Sequence, residues 1–296
     1  MSLTINNNLM AMTAARNLNS AYGRLATSVR RLSSGLRVST AADDAAGLAI
    51  RELMRADIAT MKQGIRNAAD AISMIQVADG ALGVIDEKLI RMKELAEQAA
   101  TGTYNSTQRL MIESEYQAMA SEITRIANAT TFNGVKLLDG TLAGPHDGSQ
   151  LVATGELKIH FGVGNQSAED YYYISIGSAT ASSLGVGNQS LESTAGFCIS
   201  TQSAAQAALD ALNLAIISKD NIRAALGALQ NRLENTITNL QISAENLQAA
   251  ESRISDVDVA TEMTEFVRNQ ILTQAAVAML SQANSLPQMA MQLIGG

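Results

Sequence analysis

The sequence predicts a mainly α-helical protein in which long N- and C-terminal helices pair as coiled coils, with a small β-hairpin-containing segment in the middle of the chain. Three observations predict this fold. Proline, which breaks helices, occurs only at positions 145 and 287 of the 296 residues. Apolar residues make up 47% of the chain but aromatic residues only 3%, as in closely packed long helices. Apolar residues also recur at alternating spacings of three and four, which indicates a coiled-coil seam.

An N-terminal seam of apolar residues runs along the first predicted helix. Its members are Leu18, Tyr22, Leu25, Val29, Leu32 and Leu36. A second seam near the C-terminus comprises Met263, Phe266, Ile271, Leu286, Met289 and Leu293. A long helix gains most of its stability from packing of its apolar face. Because the chain offers few partners for these two seams, we expect other copies of the protein to cover them, which makes them assembly seams.

Two adjacent aspartates lie in the stretch VSTAADDAAGLAI at 38–50, which follows the first seam. Consecutive helical residues point about 100° apart, so Asp43 and Asp44 do not converge as a catalytic carboxylate pair must. Ser39 and Thr40 are of the types that cap helices, and Thr40 with Asp43 resembles a capping box. We interpret both aspartates as helix-start residues within a connector between two domains.

Longer helices follow on both sides of the middle segment. The apolar alternation predicts a helix from about residue 46 to residue 99, and a turn at TGTYNST precedes a return helix over 110–127. In the C-terminal third, a seam from Leu226 to Ile254 precedes a final helix predicted over 262–282.

The middle of the chain differs in kind from its ends. ELKIHF and YYYISI are rich in β-formers and are joined by GVGNQSAED, which predicts a β-hairpin. The hexapeptide GVGNQS recurs at 185–190, and we interpret the two copies as similar turns. The patterns therefore divide the chain into five segments: the N-terminal part of a terminal coiled-coil domain (1–40), the N-terminal helical part of a second domain (41–139), a β/loop segment (140–197), the C-terminal helical part of the second domain (198–254) and the C-terminal part of the terminal domain (255–296).

The composition argues against nucleic-acid and membrane-inserted proteins. The chain has 28 acidic and 21 basic residues, a net charge of −7, whereas binding to nucleic acid needs a basic footprint. No run approaches the roughly 18 apolar residues that span a bilayer, so we expect no membrane insertion.

The first fifteen residues lack the basic start of a secretory signal. If the protein leaves the cell, we expect a route that cleaves no such peptide.

The sequence also lacks a recognisable catalytic arrangement. His146 and His160 are not accompanied by the further ligands that a zinc site needs. Cys198 has no histidine near it in sequence, and a structural thiol is the simpler interpretation. The GxSxG motif of serine hydrolases is absent. We expect no enzymatic activity, no metal and no cofactor.

Three long motifs resemble the bacterial flagellin family. They are INNNLMAMTAARNLNSAYGRLATSVRRLSSGLRVSTAADDAAGLAI at the start, TTFNGVKLLDG at 130–140 and AAESRISDVDVATEMTEFVRNQIL at 249–272. The resemblance covers roughly 1–140 and 200–296. It implies a terminal coiled-coil domain made from both chain ends, a second helical domain with a β-hairpin, and helical self-assembly into the flagellar filament for motility. It also implies type III export to an extracellular location, with an export chaperone and a filament cap protein as partners.

The same resemblance implies an innate-immune partner. The segment LIRMKELAEQ at 89–98 is similar to the pattern that the flagellin-sensing Toll-like receptor recognises. Arg91 and Leu95 align with the recognition residues of the family, and Glu115 in IESEYQ aligns with the acidic one. The residues alone also allow an ordinary reading, in which Leu95 belongs to a helical seam and Arg91 is a solvated charge.

Two alternatives to a filament subunit stay open at this point. A hook–filament junction protein of the same superfamily would carry similar terminal seams but occur in few copies. A flagellin bearing an enzymatic insert would carry catalysis in the middle segment, although that segment is short and holds no HExxH motif.

Overall fold

The computed structural model of the chain describes residues 8–149, 154–167, 169–187 and 198–294. The elements in these residues are α1 (Leu9–Ser34), α2 (Ala45–Ala100), α3 (Ser106–Ala129), β1 (Thr131–Phe132), β2 (Val135–Lys136), β3 (Leu157–His160), β4 (Tyr171–Ile174), α4 (Gln202–Ser255) and α5 (Val259–Ile294). The predicted mainly helical fold with a small antiparallel hairpin segment is confirmed. The chain divides into two compact units, Met1–Ile58 with Glu245–Gly296, and Ala59–Ala244.

In the first unit, α1 and α5 pair antiparallel, as the predicted pairing of the chain ends requires. Asn8 Nδ2 donates to the Ala283 carbonyl at 2.7 Å, and Arg24 Nε donates to Asn269 Oδ1 at 3.3 Å. Helix α1 has well-formed ends, because the Asn8 side chain accepts from the Ala11 N–H and Gly35 adopts a φ of 71°. A residue with a left-handed backbone conformation commonly ends a helix, and glycine adopts this conformation at little steric cost because it has no Cβ.

The segment after α1 is fixed against the junction of α4 and α5. Leu36 forms an antiparallel bridge with Asp256, and Arg37 Nη2 donates to the Ile254 carbonyl at 2.7 Å. Arg51 of α2 is buried and donates from Nη1 to the Val38 carbonyl at 2.8 Å. These bonds satisfy backbone groups that would otherwise be left unpaired where the helices end.

The second unit has its own apolar core, to which α2, α3, α4 and the β3–β4 hairpin contribute. Along α2 the buried side chains recur every seven residues, which agrees with the heptad pattern of the sequence. One such series is Ala68, Ile75, Leu82, Leu89 and Ala96, and a second is Ala71, Ala78, Ile85, Met92 and Ala99. Opposing residues of the core include Tyr116 and Ile123 from α3, Ile174 from β4, and Leu212 and Leu226 from α4. Helices α2 and α4 run antiparallel here, since Asp79 pairs with Arg223 and Lys93 bonds Asn213.

Both hairpins of this unit follow from local sequence. The β1–β2 hairpin turns at Asn133 and Gly134, whose φ values are 49° and 81°. Asn-Gly is the favoured pair for such a turn because both central residues need positive φ. In the second hairpin, β3 pairs antiparallel with β4, with Leu157 opposite Ile174 and His160 opposite Tyr171. The predicted hairpin between ELKIHF and YYYISI is therefore confirmed.

A glycine on α2 allows the second hairpin to approach this helix closely. A Cβ added to Gly64 would lie 2.0 Å from the Phe161 carbonyl oxygen, and one turn later Asn67 Nδ2 donates to the His160 carbonyl at 2.8 Å. We expect Gly64→Ala to lower the free energy of unfolding by about 1–3 kcal/mol, because either the backbone of the hairpin or that of the helix must move. Urea denaturation followed by circular dichroism measures this change.

Gly80 is the matched control for this prediction, because it lies in the same helix with no atom within 4 Å of its added Cβ. Gly80→Ala should raise the stability by about 0.4–1 kcal/mol, since alanine restricts the unfolded chain. Equal effects at the two positions would refute the importance of the close approach.

Candidate functional site

The α1–α5 pair of the first unit exposes many large apolar side chains. A groove of about 760 Å³ lies between the two helices and is lined by Leu9, Met10, Leu272, Met279 and Leu286 among others. Further large apolar side chains are exposed on both helices: Met12, Tyr22, Val29, Val259, Met263, Val267, Ile271, Val277 and Met289. A soluble monomer rarely exposes apolar groups on this scale, and such patches mark interaction surfaces.

The predicted N-terminal seam is divided between the interior and the surface of this pair. Leu18, Leu25 and Leu32 are half-buried, and Ala21 and Ser28 between them are buried. Tyr22 and Val29 are 51% and 48% exposed, and Leu36 lies beyond the end of α1, half-buried at the bridge to Asp256. Small residues therefore occupy the contact with α5, and the larger apolar residues one position later remain on the surface.

The predicted C-terminal seam is also largely on the surface. Met263, Ile271 and Met289 are exposed, whereas Phe266 and Leu286 are half-buried. The side chain of Leu293 lies outside the described residues. Among the side chains of α5 that the structure describes, the buried ones are instead Asn269, Thr273 and Ala283.

The three candidate recognition residues lie in the second unit, where α2 and α3 run side by side. Arg91 Nη2 and Nε donate to Glu115 Oε1 at 2.8 and 3.0 Å, and Arg91 Nη1 donates to Glu94 Oε2 at 2.9 Å. Hydrogen bonds to Glu115 and then to Glu94 raise the pKa of Arg91 above its ordinary value. Leu95 is 1% exposed and belongs to the core. The fold thus joins Arg91 to Glu115 on the surface and directs Leu95 inward.

The two aspartates of 38–50 have different roles. Helix α2 begins at Ala45, and Asp44 accepts from the Gly47 N–H at 2.9 Å, as an N-cap does. Asp43 lies in the preceding turn, where it accepts from Thr40 Oγ1 at 2.9 Å and pairs with Arg30 at 2.7 Å. The capping box predicted for Thr40 and Asp43 is therefore wrong: the helix begins later, and the two residues stabilise a turn.

The turn lowers the pKa of the Asp43 carboxyl. The Thr40 hydroxyl is the largest cause that lowers the pKa of this carboxyl from 3.8 to about 2, followed by backbone N–H groups of Thr40 and Ser39 and by the Ser39 hydroxyl. Because the pKa is lower in the folded chain, the turn contributes stability above pH 3.8 and loses it as the pH falls through about 2.

We expect a carbon-13 NMR titration to place the midpoint of Asp43 at about pH 2. Thr40→Val keeps the shape of the side chain but removes its hydroxyl donor, so it should move the midpoint upward toward 3.8. A midpoint that is the same in both proteins would contradict the assignment to Thr40.

The residues considered for chemistry are engaged in packing. The His146 ring lies 5.3 Å from that of Tyr173, and the His160 ring stacks 5.9 Å from that of Tyr171. His146 Nδ1 also bonds the Glu156 carbonyl at 2.7 Å. Cys198 is partly buried. The described residues contain no group of three or more histidine, cysteine, aspartate or glutamate side chains placed to hold a metal ion.

Helix α2 alone among the described helices is long and apolar enough to cross a membrane, as judged by length and composition. A core helix of a water-soluble protein passes the same test. The buried heptad positions of α2 supply a large part of the core of the second unit, which accounts for its apolar character.

Sequence reasoning missed two sets of buried residues. The inner seam of α1 includes Ala21 and Ser28, which are too small or too polar to stand out in a search for large apolar residues. Lys219 is buried between α2 and α4. Its spacing from Leu212, Ala215 and Leu226 follows the heptad alternation, and this was the available signal.

Comparison with known proteins identifies the family. The model of the bacterial flagellin N-terminal helical region matches residues 5–143, and that of the flagellin C-terminal helical region matches residues 209–294. A flagellin of Halalkalibacterium halodurans is 42% identical over 292 residues, which are 99% of this chain and all of that protein. The Bacillus subtilis flagellin is 41% identical over an alignment of 303 residues, with the same shares covered.

A solved structure supports the fold alone. A putative flagellar hook-associated protein from Vibrio parahaemolyticus has a TM-score of 0.54 at 14% identity, over 72% of this chain and all of that one. Together, the two matched regions and the full-length relatives show that this chain is a member of the bacterial flagellin family.

Proposed function

We propose that the chain is a structural subunit that assembles helically into the filament of a bacterial flagellum. The observation that carries this proposal is the surface of α1 and α5, which pair with each other but still expose large apolar side chains such as Tyr22, Val29 and Ile271. Membership of the flagellin family supports the same function. The relatives include proteins described as core proteins of the flagellar filament in Treponema.

The driving force would be burial of these apolar groups. Each Å² of apolar surface removed from water contributes roughly 25 cal/mol, and a surface uncovered in one subunit can be covered by the next. We propose that the contacts are head-to-tail, since a contact of this kind that does not close generates a helical filament. The exposed members of the predicted seams, such as Tyr22, Val29, Met263 and Ile271, would provide these contacts.

Polymerisation of the purified chain tests the proposal. Subunits dissociated from filaments should re-form filaments that are visible by electron microscopy, and sheared filaments should consist mainly of this chain. A hook–filament junction protein would instead be present in few copies per filament. The resemblance of this chain to the Vibrio hook-associated protein does not favour that alternative, because at 14% identity it shows a shared fold alone.

The domain organisation is part of the same proposal. Segments 1–40 and 255–296 would form the core domain, segments 41–139 and 198–254 the second domain, and segment 140–197 the variable region. Asp43 and Asp44 would belong to the connector between the first two. Their bonds to Thr40 and Gly47 make this turn a defined structure, which suits a joint that must transmit a fixed geometry.

We propose a receptor-facing role for the surface that Arg91 and Glu115 share. Their ion pair fixes the guanidinium in one place, and a fixed charge can be recognised at a lower entropic cost than a mobile one. Leu95 would act indirectly, through the packing of α2, since its side chain is in the core.

The proposal also includes a route of export and the absence of catalysis. The chain would leave the cell through the type III export apparatus with a chaperone, and a cap protein would guide its assembly outside. It would work without catalysis or a cofactor, as a structural protein of a structural family. Assay of purified filaments for peptidase activity, with and without a chelator, tests the absence of catalysis.

A further inference from the structure

Lys219 lies in the contact between α2 and α4 of the second unit. It is 1% exposed, and among the described residues of Ala59–Ala244 no other buried residue carries a charged side chain. An ammonium group is costly to remove from water unless it is paired. Its partners therefore determine where α4 can lie along α2.

Two carboxylates pair with this ammonium, and they differ in kind. Asp220 Oδ1 lies 2.7 Å from Lys219 Nζ, but it belongs to the same helix and moves with it. Asp86 Oδ1 lies 2.5 Å away on α2. The Asp86 bond alone of these two depends on how α2 and α4 are aligned.

A second ion pair lies one turn further along α4. Arg223 donates from Nε and Nη2 to the two oxygens of Asp79 at 2.7 and 3.2 Å. This pair is solvated, with side chains 38% and 45% exposed. It contributes less to the discrimination between alignments than the buried pair, because water can replace either partner.

The apolar part of the contact discriminates poorly between alignments. Its buried residues on α2 repeat every seven positions from Ala68 to Ala96, so a slip of one heptad places aliphatic residues against aliphatic residues again. Core packing of this kind tolerates exchange of similar volumes. A slip of seven residues displaces the helices by about 10 Å.

A slip of one heptad in either direction preserves an ion pair with α2 for only one of the two cations, Lys219 and Arg223. A slip that carries Arg223 from Asp79 to Asp86 restores its ion pair but places Lys219 against Lys93. The opposite slip carries Lys219 to Asp79 and leaves Arg223 against Ile72. In the observed alignment both cations are paired with α2 at once.

We propose that Lys219 sets the register of α4 on α2, and that its main effect is to exclude the slip in which Arg223 reaches Asp86. Buried polar groups are known to specify register at a cost in stability. Replacement of Lys219 by methionine, which is similar in length and apolar, should therefore preserve the helical fold and release the slipped alignment.

Distances between spin labels in the unassembled full-length chain test this proposal. Labels on Val77→Cys and Leu214→Cys, both at exposed positions, are offset along the helix axes, and Cys198→Ser removes the native thiol. The labelled chain that keeps Lys219 should give a single distance between the two labels. Lys219→Met should add a second population that is longer by about 10 Å, with circular dichroism unchanged and a thermal midpoint equal or higher.

Two further variants complete the design. Arg223→Met is the matched control, because it removes a neighbouring cation but keeps the buried pair, and it should keep the single distance. Addition of Asp86→Asn to Lys219→Met removes the partner that Arg223 gains in the slipped alignment, and should restore the single short distance.

A single short distance in Lys219→Met would overturn the proposal. So would loss of its helical signal, because the ammonium would then be required for folding instead of register. The readout does not require filaments, so failure of this inference is distinguishable from failure of the proposed filament function.

Discussion

Deletion of residues 1–40 or of residues 255–296 is expected to abolish filament formation while leaving a folded, soluble chain. Either deletion removes one partner of the α1–α5 pair and much of the exposed apolar surface on it. The core of the second unit does not depend on these residues, since its buried members lie between Ala68 and Leu233. The expected effect is a complete loss of polymer.

Electron microscopy and sedimentation of the purified proteins measure this loss. The full-length chain under the same conditions is the control for assembly, and circular dichroism with a thermal scan is the control for folding. Filaments formed by either truncated chain would disprove the assembly role of the terminal helices. A truncated chain without cooperative unfolding would show that the second unit needs the ends of the chain.

Leu95→Ala is expected to lower the stability of the second unit by about 2–5 kcal/mol, as truncation of a buried leucine does. Leu95 is 1% exposed and packed in the core, so the substitution leaves a cavity. Arg91→Ala should cost at most about 1 kcal/mol, because the ion pair with Glu115 is solvent-exposed. Urea denaturation of the two variants measures both values.

The comparison separates direct from indirect effects on receptor recognition. If the receptor contacts Arg91, Arg91→Ala should reduce receptor activation although it lowers the stability by at most about 1 kcal/mol. Leu95→Ala should reduce activation only to the extent that it disorders α2, and Leu95→Met, which keeps most of the volume, should restore it. Full activation by a strongly destabilised Leu95→Ala protein would contradict this indirect role.

The long helices and the hairpin were predictable because their signals are local. Heptad spacing predicted α2 nearly to both its ends and α4 at its C-terminal end, and the β-formers of ELKIHF and YYYISI predicted β3 and β4. The predicted seam of α4 began at Leu226, whereas the helix begins at Gln202. The predicted end of the last helix at residue 282 was too early, since α5 continues to Ile294. Pro287 lies within this helix, and a proline can be accommodated in a helix without ending it.

The face of α1 that packs against α5 was less predictable. The heptad pattern contains both Tyr22 and Val29, yet the residues buried against α5 are their neighbours Ala21 and Ser28. Periodicity shows that a helix has an apolar side, but it does not distinguish a partner in the same chain from one in another copy. Close antiparallel packing selects small residues, and large ones remain for other contacts.

By itself, the sequence determined the helical class, the central hairpin and the family, because helix periodicity, β-propensity and long motifs are written in neighbouring residues. Only the tertiary structure decided that Leu95 faces the core, that Asp44 and not Thr40 caps α2, and that Lys219 is buried beside Asp86. These outcomes depend on which faces meet across distant parts of the chain. Burial and pairing are properties of the contact between elements, and a single element does not encode them.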